Sequence, residues 1–341
     1  MLGGTGFIGP HVIRGLAARG HEIAVFSRGR RQSDVSSGVQ FIAGDYRKLP
    51  EFRTRFQVLG PAVVIDMIPL TEEDARNVVA TFTGITQRLV AASSQDVYRA
   101  WGYVTGLETQ PVDAHITEDS PLREGRYPYR GRPVPVLSEW DLENYDKVLV
   151  EQALQSDPNL PASIIRLPMV YGPGDWIHRT FPYLKRMDDG RTAIPIEEGA
   201  ARWRGPFGYV EDVAEALVLA ATHETAAGRI YNVAEPAHRS TAEFIRDIGD
   251  AVGWTGRVVE LPPGALPGPW SAYRMEQHVL TDSSRIRRDL GYLETVTRSE
   301  AMRRTVAWER GHPPEPIPAG MFDYATEDHA LQQYTGERAG G

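Results

Sequence analysis

The sequence predicts an α/β fold on a doubly wound parallel sheet, and three observations predict it. A glycine run, Gly3-Gly4-Thr5-Gly6-Phe7-Ile8-Gly9, opens an amphipathic stretch at the start of the chain. Short β-branched or apolar runs then alternate with helical stretches, as in sheets covered on both faces. The composition is that of an ordinary globular protein: 41% of the 341 residues are hydrophobic and 24% charged, which favours neither a disordered nor a fibrous chain.

Taken in order, residues 10–19 read as a helix with Val12, Ile13, Leu16 and Ala17 on one face, closed by Gly20, and 22–27 as a short strand. Further strands are expected at 39–43, 62–67 and 88–93, with helical segments between the last two. From Tyr98 to about Pro135 the chain is rich in Gly, Pro, Tyr and Arg without periodicity, the signature of a long loop. A helix is expected at 142–155 and a strand at 162–167. Then come a helix at 210–222, a strand at 229–233, and helices at 241–252 and near 300–310. Residues 313–341, with four prolines and a Gly-rich end, read as a surface tail. The length suggests two units, 1–167 with about 207–235 returning to it, and 168–312. Only Met1 and Leu2 precede Gly3, whereas a strand feeding the turn needs roughly five residues. The expectation is therefore that a few residues are missing from the start.

Composition also narrows function. A net charge of -8 argues against a general nucleic-acid binder, and no apolar run approaches the roughly 20 residues that span a bilayer. Neither a nucleic acid nor a membrane is an expected partner, and the expected location is cytoplasmic. The chain has no cysteine, which removes thiolate chemistry, and its nine histidines show no metal-ligand spacing, so no metal site is expected. Only three lysines occur, Lys48, Lys147 and Lys185, so a lysine at a meaningful position is unusually informative.

Glycines at 3, 6 and 9 let the chain turn tightly and let backbone N–H groups approach a pyrophosphate at a helix N-terminus. With a helix and a strand following, Gly3, Thr5, Gly6, Phe7, Ile8 and Gly9 read as a dinucleotide-binding turn. At the end of the next strand stand Ser27, Arg28, Gly29, Arg30 and Arg31, where an NAD site offers a carboxylate. A hydroxyl and a guanidinium suit a 2′-phosphate, which favours NADP over NAD; the alternative is a solvated basic loop. Asp45, after Ala43 and Gly44, is placed to read the adenine edge.

Four stretches together make the chain resemble the extended short-chain dehydrogenase/reductase family, which includes NAD-dependent epimerases, dehydratases and related reductases. They are the glycine turn, Ser93-Ser94-Gln95-Asp96-Val97-Tyr98, Arg166-Leu167-Pro168-Met169-Val170-Tyr171-Gly172-Pro173-Gly174-Asp175, and Tyr209-Val210-Glu211-Asp212-Val213-Ala214. The resemblance implies a Rossmann-like domain with a smaller C-terminal substrate domain, a small-molecule substrate and a homodimer. It also implies that Ser94 hydrogen-bonds the reacting oxygen, that Pro168 to Val170 line the nicotinamide pocket, and that Lys147 holds the cofactor ribose. The activity it implies is hydride transfer at a hydroxyl or carbonyl of a polar, sugar-like substrate. The alternative is a dinucleotide-binding protein without redox activity.

One departure leaves the acid/base open. The family places a tyrosine four residues before the lysine, one helical turn, where the lysine lowers the phenol pKa. Here Glu143 stands four before Lys147, and Tyr145, two residues away, would face nearly the opposite side of a continuous helix unless that helix starts late. Glu143 itself is one candidate. Asp96, Tyr98 or Tyr103 is another. The third reading is an exposed Glu143-Lys147-Glu151 ladder in a degenerate site. Arg179, Arg202 and Arg204 are candidates for clamping a substrate diphosphate or carboxylate, against a reading as solvated surface arginines.

Overall fold

The computed structural model describes residues 1–29, 38–131, 141–266, 273–317 and 320–336. Twelve strands are described: β1 (Ile23–Ser27), β2 (Val39–Ala43), β3 (Val63–Asp66), β4 (Arg88–Ser94), β5 (His115–Ile116), β6 (Ala162–Leu167), β7 (Met169–Tyr171), β8 (Ala193–Glu197), β9 (Phe207–Tyr209), β10 (Ile230–Asn232), β11 (Arg257–Leu261) and β12 (Leu280–Thr281). The helices are α1 (Gly9–Ala18), α2 (Arg53–Leu59), α3 (Glu72–Phe82), α4 (Arg99–Val104), α5 (Lys147–Leu154), α6 (Phe181–Asp188), α7 (Glu198–Arg202), α8 (Val210–Thr222), α9 (Thr241–Val252), α10 (Ser284–Leu290), α11 (Arg298–Gly311) and α12 (Tyr324–Thr335).

The main sheet is parallel. β1 pairs with β2, and β3, β4, β6 and β10 run side by side. Met1 and Leu2 join the two groups: the Leu2 N–H donates to Ile65 and its carbonyl accepts from Met67, while Met1 and Gly3 bond to Phe26. Two residues thus occupy the place of a strand between β1 and β3.

Neighbouring residues on each strand feed opposite faces. Val25, Ile65, Val90 and Ile165 pack with Val12, Ile13 and Leu16 of α1 and Val213 and Leu217 of α8. Phe26, Val64, Leu89 and Ile164 pack with Phe56, Val78, Phe82, Val150 and Leu154 on the other side. This is the two-sided burial that the near-continuous apolar strands predict. β10 returns to the sheet edge from late in the chain, and the parallel pair β8 and β11 lies apart with its own apolar cluster of Ala193, Val259, Leu261, Ala330 and Leu331.

Three expectations are corrected. The stretch from 98 to 135 is not one unstructured loop: α4 and β5 lie within it, and Tyr98, Ala100 and Val104 are core residues. The helix expected from 142 begins only at Lys147, because Asp146 caps it, accepting from the N–H groups of Val148 and Leu149. The proline-rich end leads into α12, which Asp323 caps and which buries Ala330 and Leu331.

Candidate active site

The carboxyl ends of the strands bring the predicted cofactor residues to one edge of the sheet: Gly3 after Leu2, Ser27 ending β1, Ser94 ending β4, and Pro168 and Val170 just past β6. In parallel sheets this edge is where ligands sit. The turn is shaped by its neighbours. Gly3 has φ +82°, a left-handed backbone that a side chain resists, and a Cβ there would lie 2.5 Å from Ile68. At Gly9 a Cβ would meet the Gly4 carbonyl oxygen at 2.4 Å, so the first turn of α1 packs directly on the loop. Gly6, by contrast, has nothing within 4 Å of an added Cβ. That open space beside the N-terminus of α1 fits a pyrophosphate.

Around the turn, Gly174 packs on Phe7, and Thr5 and Ile8 are half-buried. Arg28 is exposed beyond β1, and the Ser27 hydroxyl accepts from the Gly29 N–H at 3.3 Å; Arg30 and Arg31 lie outside the described residues. The Asp45 carboxylate caps the following short helix by accepting from Arg47. Beneath the turn Asp66, ending β3, is buried; it accepts from the Tyr46 hydroxyl at 2.5 Å and the Ile68 N–H at 3.0 Å. Burial pushes its carboxyl up to about 7, with the bonds from Tyr46 and Ile68 and the charge of Lys147 opposing.

The second half of the site forms where the chain before α5 crosses the end of β4. Since the helix starts at Lys147, Tyr145 is not on it: it pairs with Thr71 in an extended bridge. Its hydroxyl donates to Asp96 Oδ2 at 2.7 Å, and the Tyr129 hydroxyl approaches the same oxygen at 3.4 Å. The two rings meet edge-on, 5.1 Å apart. Asp96 Oδ1 is buried without a hydrogen-bond partner, and the Ser94 hydroxyl accepts from the Asp96 N–H at 3.2 Å. Burial first, then the Asp96 charge, raises the Tyr145 phenol well above its ordinary value. Lys147 is buried too, donating to the carbonyls of Pro69 at 2.6 Å and Ala92 at 3.0 Å. Burial lowers its pKa, opposed by Asp96, Asp66, Asp74 and Glu151.

Other candidates stand elsewhere. Glu143 is exposed and outside the helix, so it does not lie one turn from Lys147; its carboxylate accepts from the Gly131 N–H. Glu151 is no rung of a surface ladder, since it is buried against Arg166 and Ser93. The Tyr98 hydroxyl is fully buried, donating to Asn232 and accepting from Arg166. Tyr103 donates to Glu276. Arg179 is paired with Asp175 at 2.8 Å, Arg202 with Glu260 at 2.8 Å, and Arg204 with Glu243 at 3.0 Å. Arg204 also lines a cleft of about 330 Å³ with Arg239, Glu243, Arg246 and Arg298. Sequence reading missed Asp66, Arg123 and Tyr129. The signal for Tyr145 was Asp146, a capping residue directly before an apolar run.

A parallel sheet covered on both faces, with a glycine turn leading into the first helix at its carboxyl edge, is a Rossmann-like architecture. The chain belongs to the NAD-dependent epimerase/dehydratase family, which it matches over residues 1–234. Among curated proteins it is 27% identical to 2′-dehydrokanamycin reductase of Streptomyces kanamyceticus, over 88% of this chain and 78% of that one. It is 24% identical to UDP-glucose 4-epimerase of Vibrio cholerae, over 94% and 92%. Among solved structures, the Bordetella bronchiseptica enzyme WbmH in complex with NAD+ superposes with a TM-score of 0.66 at 17% identity, covering 91% of this chain and 97% of that one.

Proposed function

We propose that the protein is an NADP-dependent enzyme that transfers a hydride to or from a hydroxyl-bearing or carbonyl carbon of a polar, sugar-like substrate. The observation that carries this reading is the Tyr145 hydroxyl held 2.7 Å from Asp96 beside the buried Lys147, at the sheet edge that holds the glycine turn. Relatives named as a reductase and as a nucleotide-sugar epimerase support the reaction class. The non-redox alternative rests on the absence of a tyrosine four residues before Lys147; the buried hydrogen bond from Tyr145 to Asp96 favours the enzymatic reading.

The turn residues Gly3 to Gly9 hold the pyrophosphate, Ser27 and Arg28 the 2′-phosphate, Asp45 the adenine edge, and Pro168 and Val170 flank the nicotinamide. When bound, the nicotinamide supplies the hydride acceptor or donor. Two of the three Lys147 N–H donors are taken by Pro69 and Ala92, and the third serves a ribose hydroxyl. Ser94 orients the reacting oxygen. As the substrate hydroxyl loses its proton to the Tyr145 oxygen, the phenol proton passes along the existing hydrogen bond to Asp96; in the reducing direction both steps reverse. A phenol with a raised pKa stays protonated at neutral pH, so Tyr145 works as a relay rather than as a standing phenolate.

The first test is to purify the protein without added nucleotide, denature it, assay released NAD(H) and NADP(H), and titrate the emptied protein with NADPH and NADH. Stoichiometric retained cofactor identifies an internally recycled hydride, as in epimerases and dehydratases. An empty protein that prefers NADPH is a reductase, and one that neither retains nor binds a nicotinamide overturns the reading. With a turned-over substrate in hand, Tyr145→Phe should lower kcat by about 10²- to 10⁴-fold while leaving NADPH affinity unchanged.

A further inference from the structure

We propose that Arg123 is the positioning residue of the proton-transfer pair, a role that rests on the reading of Asp96 and Tyr145 given above. Its guanidinium is wholly buried, and every one of its bonds goes to a segment that builds the site. Nε donates to the Asp96 backbone carbonyl, and Nη1 donates to the Gly125 carbonyl at 2.7 Å. Nη2 donates to Asp146 Oδ1 at 3.3 Å and stands 4.0 Å from Asp96 Oδ1, the buried oxygen without a hydrogen-bond partner.

Asp146 carries the linkage further. Its Oδ1 accepts from Val148 and Leu149 to start α5, and its Oδ2 accepts from the Tyr127 N–H at 2.8 Å. One cation therefore ties together the turn that carries Asp96, the segment that leads to Tyr129, and the helix cap that sits between Tyr145 and Lys147. Room for it is made by α4, where a Cβ on Gly102 would come within 3.2 Å of the Arg123 side chain. A guanidinium sunk among two carboxylates is a costly way to stabilise a core, and apolar residues of similar volume often serve stability as well. What an apolar residue lacks is the ability to fix two carboxylates relative to each other, and with them the bond from Tyr145 to Asp96.

The test needs no substrate. The full chain is labelled with 13Cζ-tyrosine, the Tyr145 signal is assigned by its loss in Tyr145→Phe, and Asp96→Asn provides the reference for a phenol without its carboxylate acceptor. Arg123→Met should move the Tyr145 signal towards its position in Asp96→Asn while NADPH affinity stays within about threefold of the parent. Arg123→Lys, which restores a cation, should return the signal most of the way. A folded Arg123→Met protein with the Tyr145 signal at the parent position would overturn the proposal and leave Arg123 a plain core ion pair; if Arg123→Met does not fold, Arg123→Gln, which keeps hydrogen-bond donors but carries no charge, is read by the same criterion. Because the readout is the Tyr145–Asp96 bond and not turnover, a moved signal combined with an active Tyr145→Phe enzyme would reject the acid/base reading alone.

Discussion

Replacing Asp66 with asparagine should make the protein's stability less sensitive to pH, by an amount the structure sets. The carboxyl is 1% exposed and its pKa is raised from 3.8 to about 7, chiefly by burial. In the unfolded chain it ionises at the ordinary value, so between those two pH values the folded chain keeps a proton that the unfolded chain has released. The folded state is the one with more bound protons, and stability falls as pH rises through this window. From pH 5 to pH 7 the loss is about 1.4 kcal/mol per pH unit, about 3 kcal/mol in all, and above pH 7 it grows no further. Asparagine fits the site, since its oxygen can keep the Ile68 N–H and the Tyr46 hydroxyl can accept from its amide. At pH 5 the folded Asp66 is itself neutral, so the variant removes an anion near Lys147 only at pH 8, and that attraction is already contained in the pKa of about 7. Urea unfolding of both proteins at pH 5 and pH 8 gives four stabilities, and the parent should lose about 3 kcal/mol more than the variant across that interval. A parent-minus-variant difference that stays flat within about 0.5 kcal/mol would refute the argument.

Gly9→Ala places a Cβ 2.4 Å from the Gly4 carbonyl oxygen, whereas Gly6→Ala meets nothing. The first should lower the thermal midpoint and abolish NADPH binding; the second should leave the midpoint alone and weaken NADPH by about tenfold or more, and unchanged affinity would mean that no pyrophosphate crosses Gly6. Arg28→Ala should weaken NADPH by about 10- to 100-fold with little effect on NADH, as expected for a charged hydrogen bond of about 1.5–3 kcal/mol, and equal losses for both cofactors in a fluorescence titration would contradict the 2′-phosphate assignment. Leu331 is 1% exposed in the cluster shared with Val259 and Leu261, so Leu331→Ala should cost about 2–5 kcal/mol in urea unfolding; no change would mean that α12 does not dock.

The regular elements could be read from sequence because their signals are local. β2, α8 and α9 have the bounds that periodicity assigns, and Ser240 and Glu243 form the capping box that opens α9. The site was less legible because its geometry is tertiary. The helical pattern of residues 142–155 runs on without interruption in composition, yet the bridge of Tyr145 to Thr71 and the cap at Asp146 take its first turn away. Nothing in the local sequence says that Arg123 will be drawn into the core beside two carboxylates, one 23 and the other 27 residues away. The apolar residues of α12 are too few to mark a helix by pattern alone; their burial and the ion pairs of Glu327 with Arg186 and Asp328 with Arg191 hold it in place.

The delayed start of α5 bears on how such enzymes are recognised. A rule that places a tyrosine four residues before a lysine is a statement about helical phase, and it presumes one unbroken helix through both. In this chain the phase is reset between them, so a phenol only two residues from the lysine reaches the same carboxylate that influences it. A search for the four-residue interval finds Glu143 at that place, whereas the capping residue Asp146 marks where the helical phase begins. A spacing rule written for one continuous helix therefore says nothing of a tyrosine that precedes the helix cap.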